Sequence, residues 1–443
     1  MFAAGPRSAG AVRRIRINED FPVQASKCGI ALSWDQAQDG SRMVDLDLQG
    51  VVFNTAGKVV DAVYYNNMKA LGRGLTHSGD ETSGQKEGYD EAIWATLAAL
   101  QPEVSLIVFV VACYRGGRIA DAINGKVHIL QDRQEVADFT LSDFGGQAAI
   151  IGSLRRVGST WAFRVAACPV SHGQHFIDIL EPSIGGLVRE FIPSAPKKLK
   201  AAFAMDKGAV VDLPMSSSLH STFAGLGWDV TMGEVDLDVS AVMLDSNCRE
   251  LDCVFFGNVE AKGITHSGDN VTGKGAGDDE VITLDLVSIP AQVDQVMFII
   301  NIYSLGKDFS QVASPYCRLV SLDGDEFCRY ELKEAGKEQA LVMARLFREP
   351  GDLRWGFQAM GIPCPGRTYK DSLPYILQQA RARPRQSAAA DASRPPVPVM
   401  SRTPTVGFAN ALSLLEPVPL RCEAILMESA PVESVCSNGC TTM

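Results

Sequence analysis

Two stretches of this chain gather carboxylates and glycines on a loop of constant length. Thr76-His77-Ser78-Gly79-Asp80-Glu81-Thr82-Ser83-Gly84-Gln85-Lys86-Glu87-Gly88-Tyr89-Asp90-Glu91 returns without insertion as Thr265-His266-Ser267-Gly268-Asp269-Asn270-Val271-Thr272-Gly273-Lys274-Gly275-Ala276-Gly277-Asp278-Asp279-Glu280. Acidic side chains on a segment that turns tightly through glycine suit a hard cation held by oxygen. Two copies predict two sites. In the second copy the ligands are Asp269, Asn270, Asp278, Asp279 and Glu280, with carbonyls offered around Gly273, Gly275 and Gly277. In the first they are Asp80, Asp90 and Glu91. Upstream, Asp236 and Asp238 stand two apart on a predicted strand, as do Asp45 and Asp47, so each pair faces one way. A like-charged pair on one face is costly unless something positive lies between its members. Asp35 and Asp229, each just after a tryptophan, complete the candidate set.

Other chemistry fits these residues less well. Asp269 to Glu280 has the length of an EF-hand loop, yet Val271, Gly273 and Lys274 occupy places that need acids, amides and then glycine, and strands flank it. His77, Ser78 and Asp80 include the residue types of a hydrolase triad, but neighbours in an extended chain point to opposite faces. The loop histidines His77 and His266 read as packing residues, since imidazole suits zinc better than calcium.

The elements that must hold the loops are predicted to be strands. Trp34-Asp35 recurs as Trp228-Asp229, Val44-Asp45-Leu46-Asp47-Leu48 as Val235-Asp236-Leu237-Asp238-Val239, and Trp161-Ala162-Phe163 as Trp355-Gly356-Phe357. A unit of roughly 140 residues is therefore duplicated, too long for a solenoid repeat and suited to a whole domain. Within a unit apolar residues alternate, as at Ile282, Leu284 and Leu286, and turns such as Asp323-Gly324-Asp325 punctuate short strands. The expected fold is mainly β, with two tandem β-sandwich domains at 20–195 and 205–383 joined near residues 196–204. Short helices are expected at the unit ends, within 177–191 and 369–383. From about Pro384 the composition turns to Ala, Ser, Pro and Arg, so 384–443 is expected to be a low-complexity, disordered tail.

Composition narrows the function. A formal charge of −11 argues against a nucleic-acid partner and agrees with cation binding. No apolar run approaches ~18 residues, so no transmembrane segment is expected. Eleven scattered cysteines, an odd number without a framework, favour free thiols in a reducing compartment, which makes the cytoplasm the expected location. No secretory leader is expected, because no apolar core follows Arg7.

The combined motifs resemble the TerD family of tellurium-resistance and general stress proteins. The resemblance rests on Gly225-Leu226-Gly227-Trp228-Asp229, Val235 to Ala241, His266 to Glu280, Phe309-Ser310-Gln311-Val312, Arg318-Leu319 and Trp355-Gly356-Phe357-Gln358-Ala359-Met360-Gly361. It covers nearly all of 205–383, and a degenerate version covers about 20–195. It implies calcium-binding β-sandwich domains, no enzymatic activity, and calcium at Asp269, Asn270, Asp278, Asp279 and Glu280 with the strand aspartates in support. The first unit departs at Glu81, Lys86 and Tyr89, which stand where the second has Asn270, Gly275 and Asp278. Tighter binding is therefore expected in the second. Two roles follow: a calcium-dependent scaffold read by an unidentified protein partner, or a binder of a nucleotide or metal oxyanion bridged by calcium. The absence of a GxxxxGK[ST] loop weighs against the latter.

Overall fold

The run Val104–Cys113 is buried on both faces, and the faces serve different layers. Ile107, Phe109, Val111 and Cys113 join one apolar cluster, while Leu106, Val108, Val110 and Ala112 join another. A period-two strand with two apolar faces must lie between two layers. The structure, a computed structural model, describes residues 12–36, 44–86, 88–114, 117–170, 173–214, 221–230, 235–268, 278–321, 323–332, 336–349 and 354–382. Asp269, Asn270, the side chain of Asp229 and the expected tail at 384–443 lie outside the described residues.

The first half is built from β1 (Arg13–Arg14), β2 (Asp20–Val23), β3 (Lys27–Asp35), β4 (Leu46–Asn54), β5 (Val59–Val63), β6 (Lys69–Ala70), β7 (Leu75–His77), β8 (Glu91–Thr96), β9 (Val104–Cys113), β10 (Ile123–Gln131), β11 (Gln134–Thr140), β12 (Ala148–Val157) and β13 (Thr160–Val170). They form a seven-stranded sheet, β1-β11-β10-β3-β8-β7-β6, and a six-stranded sheet, β2-β13-β12-β9-β4-β5. The second half repeats this with β14 (Phe203–Met205), β15 (Val210–Asp212), β16 (Ser221–Val230), β17 (Leu237–Leu244), β18 (Glu250–Val254), β19 (Glu260–Ala261), β20 (Ile264–His266), β21 (Glu280–Asp285), β22 (Gln295–Ile302), β23 (Val312–Ser321), β24 (Glu326–Glu331), β25 (Ala340–Arg348) and β26 (Trp355–Cys364). Its sheets run β14-β24-β23-β16-β21-β20-β19 and β15-β26-β25-β22-β17-β18, strand for strand the same order. The fold is mainly β, with a pair of sheets in each of two domains.

Each pair encloses an apolar core, and the outer face of each six-stranded sheet is capped as well. In the second half that cap is α2 (Tyr369–Arg381), whose Tyr369, Ile376 and Ala380 pack on Val242, Met297, Ile299 and Val342. Thr368 starts it with a capping box closed by Asp371. In the first half, Phe176 to Ile184 and α1 (Gly185–Phe191) cover the corresponding face. No helix of the described residues is long and apolar enough to cross a membrane.

The described residues of both halves lie in one compact unit. The joint near 196–204 is charged but not an exposed break, because Ala195, Leu199 and Ala201 are buried and belong to a cluster that continues into the second core. Across the halves, the Tyr64 hydroxyl donates to the Val210 carbonyl at 3.3 Å and Arg354 pairs with Asp178 at 2.7 Å, almost out of water. Removing one partner of a buried pair leaves the other charge stranded. Arg354→Met is expected to lower the unfolding free energy by about 3–5 kcal/mol, read from chemical denaturation of the whole chain.

Candidate metal centre

The first residue of β8 and the second of β4, on strands of different sheets, bring their carboxylates close together in the first half. Glu91 is buried, and the N–H of Leu48 donates to its Oε2 at 2.8 Å while the N–H of Glu81 donates to its Oε1 at 3.2 Å. Asp47 comes in from β4, and Asp80 from the loop after β7. One oxygen from each of Asp47, Asp80 and Glu91 lies within 4.8 Å of the others. Oxygens opposed across a calcium ion stand about twice ~2.3 to ~2.6 Å apart, so this spacing admits one.

The electrostatics ask for a positive charge. Burial raises the Asp47 carboxyl well above the usual range, and Glu91, Asp45, Asp80 and Asp212 all push it further up. Its Oδ2 is buried with no hydrogen-bond partner among the described residues. Burial also raises Glu91, with His77 drawing it back. A buried carboxylate without a donor carries a full desolvation penalty, which a cation in the centre removes.

Neither histidine nor thiol offers a ligand atom to this cluster. The Gly79 N–H donates to His77 Nδ1 at 3.1 Å, so the ring proton is on Nε2, which faces the Leu48 carbonyl at 3.1 Å and Glu91 at 3.5 Å. The ring has no lone pair left for a metal, and it pins the loop to β4. Burial first, then Asp47, Asp121 and Asp45, pushes the Cys113 thiol up to about 12. The donor set is all oxygen, as a hard cation prefers.

The second half repeats the frame. The Val239 N–H donates to Glu280 Oε2 at 2.7 Å, His266 Nε2 lies 3.5 Å from the same oxygen, and the Gly268 N–H donates to His266 Nδ1 at 2.9 Å. Asp238 is buried at the position of Asp47, each paired across its sheet with the equivalent strand, Asn301 in one half and Ala112 in the other. Asp269, the counterpart of Asp80, is outside the described residues.

Other expected ligands are placed elsewhere. Asp45 and Asp236 precede β4 and β17 and are not on the strands; their carbonyls accept from Tyr114 and Tyr303 at 3.0 and 2.9 Å. Asp90 Oδ2 accepts the Trp34 N–H at 2.8 Å, beside the trio and outside it, and Asp279 is half-buried at the equivalent place. Asp35 is exposed and accepts from Asn124 at 2.6 Å. Asp278 is held by Arg318 in a two-toothed fork, Nε to Oδ1 at 2.8 Å and Nη2 to Oδ2 at 3.0 Å, with the Tyr316 hydroxyl 2.9 Å from Oδ1. In the first half Tyr89 occupies that place and donates to Glu135, which also meets His128. The exchange of Asp278 for Tyr89 therefore alters an outer ion-pair network, and the inequality of sites expected from it loses that ground.

Sequence reasoning did not find Asn66, His175, Asp212, Glu349 and Arg354, which gather where the halves meet. Asn66 Nδ2 donates to Asp212 at 3.1 Å and to Glu349 at 3.2 Å. The available signal was confined to Asn66, where Tyr64-Tyr65-Asn66-Asn67 answers Phe255-Phe256-Gly257-Asn258.

Comparison with known proteins agrees with the duplication. The TerD domain model matches residues 13–176 and 201–374. Over 170 residues the chain is 37% identical to tellurium resistance protein TerZ of Serratia marcescens, covering 35% of this chain and 86% of that protein. It is 32% identical over 185 residues to stress response protein SCP2 of Bacillus subtilis, covering 36% of this chain and 92% of that one. The crystal structure of a Streptomyces coelicolor homologue of the telluride resistance protein matches 34% of this chain and 94% of its own, with a TM-score of 0.31 and 19% identity.

The Asp278–Arg318 fork is partly exposed, so its contribution is moderate. Asp278→Asn and Arg318→Met are each expected to destabilise the chain by about 1–3 kcal/mol, and the double variant by much less than their sum. Urea denaturation of the four proteins in the cycle checks this.

Proposed function

Because the chain belongs to the TerD family in both halves, we propose that it is a calcium-binding stress-response protein without catalytic activity, acting in the cytoplasm as a scaffold for a protein partner. The observation that carries this reading is the meeting of Asp47, Asp80 and Glu91 around a buried Asp47 oxygen that no donor reaches. Bound calcium supplies the positive charge that lets the three carboxylates stay ionised together. The chain supplies the rest. Strands β4 and β8 fix Asp47 and Glu91 from opposite sheets, while Asp80 rides on the loop, so cation occupancy and loop order are linked. Gly84 sets the far side of that loop, with φ +54° and no room for a Cβ against the Trp34 ring. A partner that reads the loop surface would thereby sense calcium. In the second half Asp238 and Glu280 take the same places, with Asp269 as the third ligand.

Calorimetry is expected to give two calcium ions per chain, with Glu91→Gln and Glu280→Gln each removing one and Asp278→Asn keeping both. Retention of two ions by Glu91→Gln would sink the assignment. A thermal shift by nucleotide that requires calcium would instead favour a ligand-bridging role.

The pH dependence has a definite sign. With its carboxyl raised by burial, folded Asp47 holds a proton that the unfolded chain releases above about pH 4, so without calcium stability declines as pH rises from there towards the folded value. Calcium displaces that proton. The gain in Tm from millimolar calcium over chelator is therefore expected to be larger near pH 8 than near pH 5. Equal gains at both would contradict it.

A further inference from the structure

Where the halves meet, carboxylates of the second half enter a hollow of the first. Asn66 Nδ2 donates to Asp212 at 3.1 Å and to Glu349 at 3.2 Å, and His175 Nε2 lies 3.6 Å from Asp212. Burial first, and Asp212 among the nearby acids, raises Tyr64, Tyr65 and Asp47, so all three lie close to it. The counter-charge arrives with the acids, since Arg354 from the same edge draws both of them down. A carboxylate thus stands near Asp47 without being barred by it.

The duplicated fold places the same hollow in the second half. Phe255 bridges to Asn258 as Tyr64 bridges to Asn67, so Phe255 and Phe256 answer Tyr64 and Tyr65. Thr368 caps α2 as His175 caps the turn that starts at Phe176, and the Tyr369 ring lies 5.1 Å from Phe255 as Phe176 lies 5.6 Å from Tyr64. Phe255, Phe256, Thr368 and Asp238 are therefore the counterparts of the four residues around Asp212. All four line a cavity of about 150 Å³.

What differs is the charge. Matching the two caps sets Gln174-His175-Phe176-Ile177 against Arg367-Thr368-Tyr369-Lys370, so two neutral residues become two cations, and both line the cavity. Arg367 gives Nη2 to the Tyr303 carbonyl, while its Nε is shielded from water with no acceptor among the described residues. Lys370 is exposed, with its Nζ 5.9 Å from the centre of the Tyr369 ring and no carboxylate paired to it among the described residues. Against these stand one carboxylate, Asp238, and the buried Asn301, which donates to Gly366 and Ser372 at 3.0 Å each and leaves its Oδ1 without a donor. The lining is net cationic. A shielded guanidinium N–H without an acceptor is costly, and an oxyanion removes that cost.

We propose that this cavity is a binding site for a small organic carboxylate, with its anionic group between Arg367 and Lys370 and its body against Phe255 and Phe256. The edge of the first half does not offer such an acid as Asp212 and Glu349 do. Pro22 lies opposite Ala162 on β13 as Asp212 lies opposite Gly356 on β26, and Val157 follows Arg156 as Glu349 follows Arg348, so that edge is uncharged at both places. Size bounds the ligand. About 150 Å³ is below the ~300 to ~1,000 Å³ of pockets that hold drug-sized ligands, so a carboxylate with a short body fits and a whole nucleotide does not. The site goes beyond calcium binding and needs no cation in the loops.

Ligand-observed saturation-transfer NMR with benzoate as the probe tests this on the full chain, stripped of calcium over a chelating resin so that no loop cation bridges to the acid. Benzoate is expected to bind, and benzamide, its neutral counterpart, to bind roughly tenfold more weakly. Arg367→Gln and Lys370→Gln are each expected to weaken benzoate about tenfold with unchanged circular dichroism, the effect of losing one charged hydrogen bond. Lys207→Gln, at an exposed position outside the lining, is expected to bind like wild type. Because Lys370 is exposed, its variant tests the site even if loss of the Tyr303 contact unfolds Arg367→Gln. A wild-type chain that does not bind benzoate, equal binding of benzamide, unchanged binding by Lys370→Gln, or an equal loss in Lys207→Gln would each overturn the proposal.

Discussion

In each half a single buried carboxylate ties the two sheets to the loop between them. Glu91 opens a strand of the seven-stranded sheet and accepts a backbone N–H from β4 in the six-stranded one, and Glu280 does the same towards β17. Hydrogen bonds of this kind normally hold strands within a sheet, whereas here one spans two layers. Placing a charge there is tolerable only with donors and a counter-charge. The backbone supplies donors, a loop histidine adds one, and Asp47 and Asp80 bring further negative charge beside it. Loop length is constrained by the same contact. The histidine, the following glycine and the closing glutamate must reach the same strand in both halves, which explains a segment that keeps its length while its middle changes.

Where the halves differ, residues change in groups. Tyr89, His128 and Glu135 form one network, and Asp278, Arg318 and Glu326 form its counterpart in the same register. A carboxylate at the loop end needs a guanidinium on the neighbouring strand, while a phenol needs only an acceptor. The interface follows the same logic. Asp212 and Glu349 are buried against Asn66 and a histidine, and the corresponding positions of the first half, Pro22 and Val157, carry no charge to satisfy. Polar atoms taken out of water must find partners, so each exchange on one side demands another across the contact.

The duplication, the period-two strands and the carboxylate loops were legible in the sequence because they are local or repeated patterns. Asp47, Asp80 and Glu91 stood among the candidate ligands for that reason. The roles of Asp278 and Tyr89 were not legible. Residue type and loop position made Asp278 an expected ligand and Tyr89 its replacement, but the direction of each side chain is decided by Arg318 and Glu135 on strands distant in sequence. Asp45 and Asp236 each lie one residue before the strand, yet Asp45 is buried close enough to Asp47 to raise its carboxyl. The joint between halves misled for a related reason. Lys197, Lys198 and Lys200 read as solvated, yet Leu199 and Ala201 between and beside them are buried in the core that both halves share.

Two copies of a domain in one chain create a problem that a lone domain does not have. Each copy brings the same face and the same edge, so identical halves would leave a choice among inside, outside and mixed pairings. The pair made within the chain is polar on both sides, which biases the choice. An uncharged edge in that place would leave the Asn66 amide without its two carboxylate acceptors and Asp178 without Arg354. The pairing within the chain is then favoured by the cost of burying polar groups unpaired, the same cost that bears on the Asp47 carboxylate.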